Sequence, residues 1–367
     1  MRYRRMPIEI ESPEERGYDT IACNLTESSV ADQQLGDLGL ELDDLVLCYG
    51  DHRGEPTLRE LVAAGAPGVS PPEVLTAPGA AAALFMISTS LLDHGDHAII
   101  AHTNYATNLE TPRLLGADID LLPLRFEDGF ALDLDRLSDT IRPTTRLVSL
   151  TYPHNPTGVM IDRPTLDAVI AMVEASSAHL LVDETYRDMT RGEALPAAAT
   201  LSERAISVSS MSKSYGLPGI RVGWLMSRDR ALAERLLAAK EQIFICTSGL
   251  DEAVASHVLA NRDRILPPIL RTIESRRDAV MTWMANQTLL ECVEPQGGVV
   301  CFPRLVDRVD VDEFYRHLND VGSTWVGEGH WFDVDRRSFR LGFGWPSADE
   351  LDQGLAAITA AAEFAAR

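Results

Sequence analysis

One lysine of this chain stands in a segment whose residue types suit covalent chemistry on an aldehyde. Lys213 follows the apolar, strand-like run 205–208, and serines precede it by three residues, at Ser210, and by one, at Ser212. Arg221 follows eight residues later, with glycines in between. An amine can form a Schiff base with an aldehyde, and hydroxyls with a fixed guanidinium suit a phosphate group. The segment is therefore typical of a site for a phosphorylated aldehyde, although Ser/Gly loops also carry ordinary surface lysines.

Polar side chains follow two further apolar runs. Asn155 lies in an Asn-Pro turn directly after residues 147–150, and Asp183 ends a buried run that begins at His179. Tyr186 comes three residues after Asp183. A turn, a helix cap and a core aromatic would explain each residue separately. Carboxyl ends of parallel strands are, however, where open α/β folds bind ligands, so we expect these side chains to meet near the lysine.

Two charged residues suggest contacts to a substrate. Arg340 lies in the apolar strand-like run 338–344, and a buried arginine is costly unless it meets an anion. Glu27 would suit a cationic substrate group such as a guanidinium, although a solvated loop carboxylate explains it equally well. Ser28, His102, Asn104 and Trp345 are further candidates for the same side-chain pocket.

Together these segments resemble the class I and II aminotransferases, which are fold-type I pyridoxal 5′-phosphate (PLP) enzymes. Order, spacing and strand context match over nearly the whole chain. The resemblance implies an α/β fold, with a large domain around a mostly parallel seven-stranded sheet and a smaller α+β domain. It also implies PLP as the cofactor, an α-amino acid as the substrate, and a homodimer with shared active sites.

The resemblance further implies a role for each candidate residue. Lys213 would carry the Schiff base and shuttle a proton, Asp183 would pair with the pyridinium nitrogen, and Arg340 would bind the substrate α-carboxylate. The other implied cofactor contacts are Asn155 and Tyr186 at the phenolic oxygen, Ser210, Ser212 and Arg221 at the phosphate, Tyr105 against the ring, and Tyr49 at the phosphate of the neighbouring subunit.

One segment departs from the family's pattern. Family members usually have Gly-Ser-Ser or Gly-Ser-Thr where the phosphate-binding helix begins, whereas this chain has Gly79, Ala80 and Ala81. Backbone N–H groups at a helix N-terminus still bind an anion. Because the side-chain hydroxyls are missing, we expect weaker retention of the cofactor.

The same residues are compatible with several reactions. Transamination is the family's commonest reaction, whereas elimination, decarboxylation, oxidation and cyclisation use the same parts. The segments 152–158, 212–223, 295–298 and 343–346 resemble capreomycidine synthase-like amino-acid-modifying enzymes of natural-product pathways, which favours a lyase or cyclase as the alternative. A non-catalytic PLP-binding regulator is a remote alternative, because DNA binding requires a basic surface.

Composition narrows the class of protein. The chain has 367 residues and a net charge of −22, which disfavours partners such as nucleic acid and anionic membranes. The sequence has no apolar run long enough for a transmembrane helix, and its basic N-terminus lacks the apolar region of a signal peptide. Five scattered cysteines, without CxxC spacing, indicate free thiols in a reducing cytoplasm and no metal site.

Alternating helix and strand patterns must position these residues. We expect an N-terminal arm over residues 1–45, a large PLP-binding domain over 46–245 and a small domain over 246–367. The predicted strands are residues 74–76, 98–100, 119–122, 147–150, 180–183, 205–209, 222–225, 297–302 and the one that contains Arg340. The predicted helices are residues 165–175, 229–245, 250–261, 268–286 and 348–366.

Overall fold

The computed structural model describes residues 3–366. Its strands are β1 (Cys23–Leu25), β2 (Val74–Ala77), β3 (His97–His102), β4 (Asp118–Pro123), β5 (Thr145–Thr151), β6 (His179–Asp183), β7 (Ala205–Ser210), β8 (Gly223–Ser227), β9 (Leu290–Glu291), β10 (Val300–Cys301), β11 (Arg304–Leu305), β12 (Thr324–Glu328) and β13 (Phe339–Gly342). Its helices are α1 (Pro7–Ile10), α2 (Pro13–Arg16), α3 (Pro56–Ala64), α4 (Gly79–Leu91), α5 (Ala106–Leu115), α6 (Leu134–Thr140), α7 (Arg163–Glu174), α8 (Ala198–Leu201), α9 (Arg230–Ile243), α10 (Gly249–Ala260), α11 (Arg262–Met284), α12 (Val311–Asp320) and α13 (Ala348–Ala365).

A seven-stranded sheet forms the centre of the molecule, in the order β2-β8-β7-β6-β5-β3-β4. Strands β7, β6, β5, β3 and β4 pair in parallel, whereas β8 pairs antiparallel with both β7 and β2. Strand β2 therefore runs in the same direction as the parallel strands. The mostly parallel sheet that the sequence predicts is confirmed, and the carboxyl ends of β2, β3, β5, β6 and β7 share one edge.

Apolar side chains alternate between the two faces of this sheet because successive strand residues point in opposite directions. In β6, Leu180 and Val182 join a core that contains residues of α7, whereas Leu181 joins a second core that contains residues of α4 and α9. Burial on both faces explains why the strands are continuous apolar runs. The sheet is thereby held rigidly at the edge where its polar residues end.

A smaller sheet joins the beginning of the chain to its last third. Its order is β1-β12-β13-β10, with β1 parallel to β12 and the other pairs antiparallel. Apolar residues of this sheet pack with α12 and α13 around buried side chains such as Phe314 and Phe339. The residues directly after β1 are thus placed beside the strand that contains Arg340. Among the described residues, none of the helices combines the length and the apolar character needed to span a bilayer.

Two predicted elements begin three or more residues away from where the structure has them. Helix α11 begins at Arg262 rather than near residue 268, and it includes Pro267 and Pro268. The predicted strand 297–302 is reduced to β10, because the N–H groups of Gly297 and Gly298 donate to Gly158 and Met189 instead of to the sheet. These contacts tie the 297–298 turn to the loop that contains Asn155.

Candidate functional site

A cavity of about 1030 Å³ opens where the parallel strands end. Most of the residues singled out from the sequence line it: Glu27, Ala80, Ala81, Tyr105, Asn155, Asp183, Tyr186, Ser210, Ser212, Lys213, Arg221 and Arg340. These residues come from widely separated parts of the chain, and the shared sheet edge is what brings them together. Such an edge is the usual ligand site of open α/β sheets.

Lys213 lies three residues beyond the end of β7. Its backbone carbonyl accepts a hydrogen bond of 3.1 Å from the N–H of Val30, which fixes the segment against the N-terminal part of the chain. Burial lowers the pKa of Lys213, while Glu27 opposes the shift and Arg340 adds to it. A lowered pKa makes the neutral amine, which is the nucleophilic form, more accessible near neutral pH.

Asp183, at the end of β6, is buried on the floor of the cavity. Its Oδ1 accepts hydrogen bonds from the hydroxyl of Thr185 at 2.5 Å and from the backbone N–H of Thr185 at 3.1 Å. Burial raises the pKa of Asp183, and the Thr185 hydrogen bonds and Lys213 act against that shift. A cation placed beside this carboxylate would keep it ionised. Sequence analysis did not identify Thr185, which fixes one oxygen of the carboxylate.

Arg340, in β13, is only 5% exposed and lines the cavity. Its Nη1 donates to Oδ1 of Asn155 at 3.1 Å, and its Nη2 donates to the carbonyl of Thr26 at 2.6 Å. Within the part of the chain that the structure describes, Nε of Arg340 is buried without a hydrogen-bond partner. A carboxylate in the cavity would satisfy a guanidinium of this kind.

Two tyrosines add hydroxyl groups to the cavity. Burial raises the pKa of Tyr186 to about 12, so its hydroxyl stays protonated and can donate to an oxygen anion. Burial also raises the pKa of Tyr105, which lies directly before the first residue of α5. Both side chains are placed by strands that end at the shared edge, β6 for Tyr186 and β3 for Tyr105.

A cation, hydroxyls and a helix N-terminus converge at another part of the cavity. Nη1 of Arg221 donates to the hydroxyl of Ser212 at 3.4 Å and to the carbonyl of Pro218 at 2.9 Å. Ala80 and Ala81 lie in the first turn of α4, whose N–H groups have no acceptor within the helix. Gly79 has a φ of +80°, and a Cβ atom there would lie 2.3 Å from Nη2 of Arg221. Gly79 does not line the cavity itself; it leaves the space that the Arg221 guanidinium occupies.

These observations test whether the residues fit PLP. The phosphate requires a cation and several N–H or O–H donors, which Arg221, Ser212 and the start of α4 supply. The aldehyde requires a buried amine and the pyridine ring requires a buried carboxylate, and Lys213 and Asp183 have the chemistry and burial that fit these requirements. The unpartnered Nε of Arg340 is a donor in excess of what the protein uses. The donor set therefore fits the cofactor together with a substrate carboxylate.

Several candidates lie outside the cavity lining. Tyr49 is 80% exposed and does not reach the cavity of its own chain. His102, Asn104 and Trp345 do not line the cavity either, although Trp345 stacks on Tyr18, which donates to the cavity-lining Glu27. Asn104 instead accepts hydrogen bonds from neighbouring residues that include Thr151, at 3.1 Å. Ser28 does line the cavity, as do Glu9 and Glu14, which the sequence did not single out.

Comparison with known proteins agrees with this geometry. The family model for aminotransferase class I and II matches residues 30–358. Capreomycidine synthase from Streptomyces vinaceus is 33% identical over 323 residues, which are 87% of this chain and 82% of that protein. A PLP-dependent aminotransferase from Streptococcus suis 89-1591 has a TM-score of 0.92 at 26% identity, with both chains covered completely. The PLP-dependent cyclase OrfR has a TM-score of 0.87 at 26% identity, with 98% of each chain covered.

Proposed function

Because the chain belongs to the class I and II aminotransferases, a family of PLP-dependent enzymes, we propose that it transfers the amino group of an α-amino acid to a keto acid. The observation that carries this proposal is the convergence of Lys213, Asp183 and Arg340 in one cavity. An amine, a ring-facing carboxylate and a carboxylate-binding guanidinium are the groups that transamination of an amino acid requires.

Each of these three side chains has a separate role in the proposed reaction. When bound, PLP supplies an aldehyde carbon that takes up amines and a ring that withdraws electrons from the substrate Cα. Arg340 fixes the substrate by its α-carboxylate, so that the Cα–H bond is held in one orientation. Nζ of Lys213 would then be the base that removes the Cα proton and the acid that delivers it to the carbon that the cofactor aldehyde supplies. Asp183 is the carboxylate that stabilises a protonated ring nitrogen.

The remaining contacts bind rather than transfer protons. We propose that Arg221, Ser210, Ser212 and the N–H groups of Ala80 and Ala81 bind the phosphate, and that Gly79 gives Arg221 its place. Asn155 and Tyr186 would donate to the phenolic oxygen, and Tyr105 would pack against the ring. A protonated Tyr186 supports this assignment, because only an O–H can donate.

A lyase or cyclase is the second candidate function. Two of the similar proteins favour it by name, because capreomycidine synthase and the cyclase OrfR both carry names of enzymes other than aminotransferases. The same cavity would serve such a reaction, since the pose of the substrate decides which bond breaks. A role in the biosynthesis of an antibiotic or another natural product belongs to this second candidate.

One experiment separates the two functions. The PLP-loaded protein is incubated with a panel of amino acids, without a keto acid, and the products are identified by mass spectrometry. Transamination predicts that pyridoxamine phosphate and a keto acid accumulate in stoichiometric amounts. A lyase or cyclase predicts many turnovers with PLP retained, and products such as ammonia, carbon dioxide or a ring. Lys213→Ala should remove either activity, and turnover that survives this change would contradict both functions.

We further propose that the active unit is a homodimer. Tyr49 is exposed by 80% on the single chain, and its apolar neighbours Val46 and Leu47 are exposed by 77% and 80%. Apolar side chains so exposed are typical of a surface that a partner covers. In the dimer, Tyr49 would reach the phosphate in the neighbouring subunit. Light scattering should give the mass of a dimer, and Tyr49→Ala should weaken cofactor binding; a monomer with full activity would contradict the proposal.

The cysteines support a cytoplasmic location. All five of them are free thiols in the structure, and Cys48 is exposed. Free, exposed thiols persist in a reducing compartment. The number of alkylated cysteines, counted by mass spectrometry in protein isolated with an alkylating agent present, checks this inference.

A further inference from the structure

The cavity has an acidic wall that is not needed to bind the cofactor. Glu9 in α1 and Glu14 in α2 line it, and so does Glu27, which follows β1 by two residues. We call these three residues the acidic wall. All three belong to the N-terminal part of the chain, before the seven-stranded sheet begins.

Two of the arginines that line the cavity are paired with acids outside the acidic wall. Arg5 lies 3.0 Å from Glu15, and Arg113 lies 3.1 Å from Asp333. Among residues 3–366, no lysine, arginine or histidine nitrogen lies within 4.0 Å of the carboxylates of the acidic wall. The carboxylates of the acidic wall thus make no direct ion pair within the described chain, while Lys213, Arg221 and Arg340 line the same cavity.

Glu27 is the member held most firmly. Its Oε1 accepts a hydrogen bond of 2.9 Å from the hydroxyl of Tyr18. The Tyr18 ring stacks on Trp345 at 5.7 Å, and Nε1 of Trp345 donates to Asp32 at 3.0 Å. Burial raises the pKa of the Tyr18 hydroxyl far above its usual value, and the charges of Glu27 and Glu14 add to this shift. Tyr18 therefore remains a donor and leaves Oε2 of Glu27 for another partner.

Arg340 provides an independent indication of a ligand next to this wall. Its side chain is 95% buried, lines the cavity and has an unpartnered Nε. Its Nη2 donates to the carbonyl of Thr26, the residue directly before Glu27, at 2.6 Å. A substrate whose carboxylate binds Arg340 therefore lies close to the backbone of Thr26, and Glu27 is the next residue in the chain. Glu27 and Glu14 line the same cavity as Arg340 and Lys213.

We propose that Glu27, assisted by Glu14, selects amino acids whose side chain ends in a cation. Oε2 of Glu27 accepts a charge-assisted hydrogen bond from a guanidinium or an ammonium group, and Glu14 adds attraction at longer range. The inference rests on the proposed function, because it assumes that Arg340 binds the α-carboxylate and that the α-amino group lies at the cofactor site beside Lys213. It names the substrate class of that site.

Titration of the holoenzyme with single amino acids, without a keto acid, tests this selectivity. L-arginine is compared with L-citrulline, its neutral near-isostere, and L-lysine with L-norleucine, with the change in cofactor absorbance on binding as the readout. At least one cationic amino acid should bind about tenfold or more tightly than its neutral counterpart, because a hydrogen bond to a charged group is worth about 1.5–3 kcal/mol. The pair that shows the preference identifies the cationic group as guanidinium or ammonium.

Variants that each remove one negative charge identify which residue causes the preference for cationic amino acids. Glu27→Gln keeps the acceptor for Tyr18 and should reduce the cation preference about fivefold or more, while the affinity for the neutral amino acid stays constant. Glu14→Gln should reduce it less. Glu60→Gln, an exposed residue on α3 that does not line the cavity, changes the net charge equally and should leave the preference intact.

Two results would overturn the proposal. One is equal binding of cationic and neutral amino acids by the unmodified holoenzyme, which needs no variant to fold. The other is a cation preference that survives both Glu27→Gln and Glu14→Gln. Failure of the underlying function is a distinct result, since in that case no amino acid of the panel would change the cofactor absorbance or yield any product.

Discussion

Nη1 of Arg340 donates a 3.1 Å hydrogen bond to Oδ1 of Asn155, which lies 185 residues earlier in the chain. The contact fixes the orientation of the Asn155 amide, because its oxygen is occupied and its Nδ2 remains as the donor. Asn155 is buried, and so is Arg340. Arg340, which we propose to bind the substrate carboxylate, and Asn155, which we propose to donate to the cofactor, are thus coupled by a direct hydrogen bond.

This contact predicts that Arg340→Lys damages more than substrate binding. A lysine ammonium cannot hold Asn155, Thr26 and a carboxylate in one plane as a guanidinium does. Because two or more charged hydrogen bonds are lost at about 1.5–3 kcal/mol each, kcat/KM should fall about hundredfold or more. The cofactor absorbance should also shift, since Asn155 loses its fixed orientation.

A double-mutant cycle with Asn155→Ala measures the coupling between these residues. Residues in direct contact show interaction free energies of about 0.5–3 kcal/mol, so the two losses in kcat/KM should not add. Strict additivity would contradict the idea that Arg340 orients Asn155.

The sequence predicted the fold because its signals were local and strong. The apolar runs before Asn155, Asp183 and Lys213 are buried on both faces, and such runs mark central parallel strands. The parallel direction of these strands then places their final residues on one edge. The position of the candidate site therefore follows from the order of the strands, even though no single motif specifies it.

Features that depend on tertiary contacts were not accessible from the sequence. Asn104 has a residue type that suits a pocket, yet it is fully buried and its amide is used by neighbours such as Thr151. The short helix that contains Glu14 has no sequence period to mark it, and its proximity to Lys213 and Arg340 arises only through folding. The positions and roles of such residues can be recognised only when the structure shows which neighbours contact their polar atoms.

Because α4 begins with alanines where the family usually has hydroxyl-bearing residues, we predict that substitution at its start can increase the affinity for PLP. Ala80 and Ala81 line the cavity, so a hydroxyl at either position would add a donor to the phosphate. We expect Ala80→Ser or Ala81→Ser to tighten binding of PLP by the apoprotein about tenfold, in line with hydrogen bonds to charged groups. Fluorescence titration measures this change. Ala82→Ser, in the same helix but outside the cavity lining, is the matched control and should have no such effect.

Gly79 predicts a steric test of the Arg221 position. A Cβ atom there would lie 2.3 Å from Nη2 of Arg221, so Gly79→Ala should displace the guanidinium. The affinity for PLP should fall about tenfold or more, while the apoprotein loses only the roughly 1 kcal/mol expected for alanine at positive φ. Gly95→Ala is the control, because Gly95 has a similar φ of +85° and open space around its Cβ position. Equal cofactor affinity in the two variants would argue against Arg221 as a phosphate ligand.

His154 predicts a pH dependence of stability. It is buried, with Nε2 at 2.8 Å from the carbonyl of Thr103 and Nδ1 at 2.7 Å from the hydroxyl of Thr157. Burial lowers the pKa of His154 to about 4, so the neutral ring donates to Thr103 and accepts from Thr157. Between the ordinary pKa of 6.5 and this value, the unfolded chain binds the proton more readily than the folded protein. The stability that the neutral ring contributes is therefore present above pH 6.5 and is lost as the pH falls toward 4.

His154→Asn isolates this contribution, because an asparagine oxygen can still accept from Thr157 but does not titrate. At pH 8 the variant should be about 1–3 kcal/mol less stable, since the carbonyl of Thr103 loses its donor. The difference should close or reverse by pH 4, because a shift of this size corresponds to about 3 kcal/mol lost by the unmodified protein alone. Burial raises the pKa of Glu184 to about 7, so Glu184 makes the folded protein more stable as the pH falls, which is opposite to the effect of His154. The unmodified protein and the variant share this effect, and it therefore cancels in the difference between their free energies of unfolding. Urea unfolding across this pH range measures the difference, with exposed His94→Asn as the control. A difference that stays constant from pH 8 to pH 4 would contradict a neutral, buried His154.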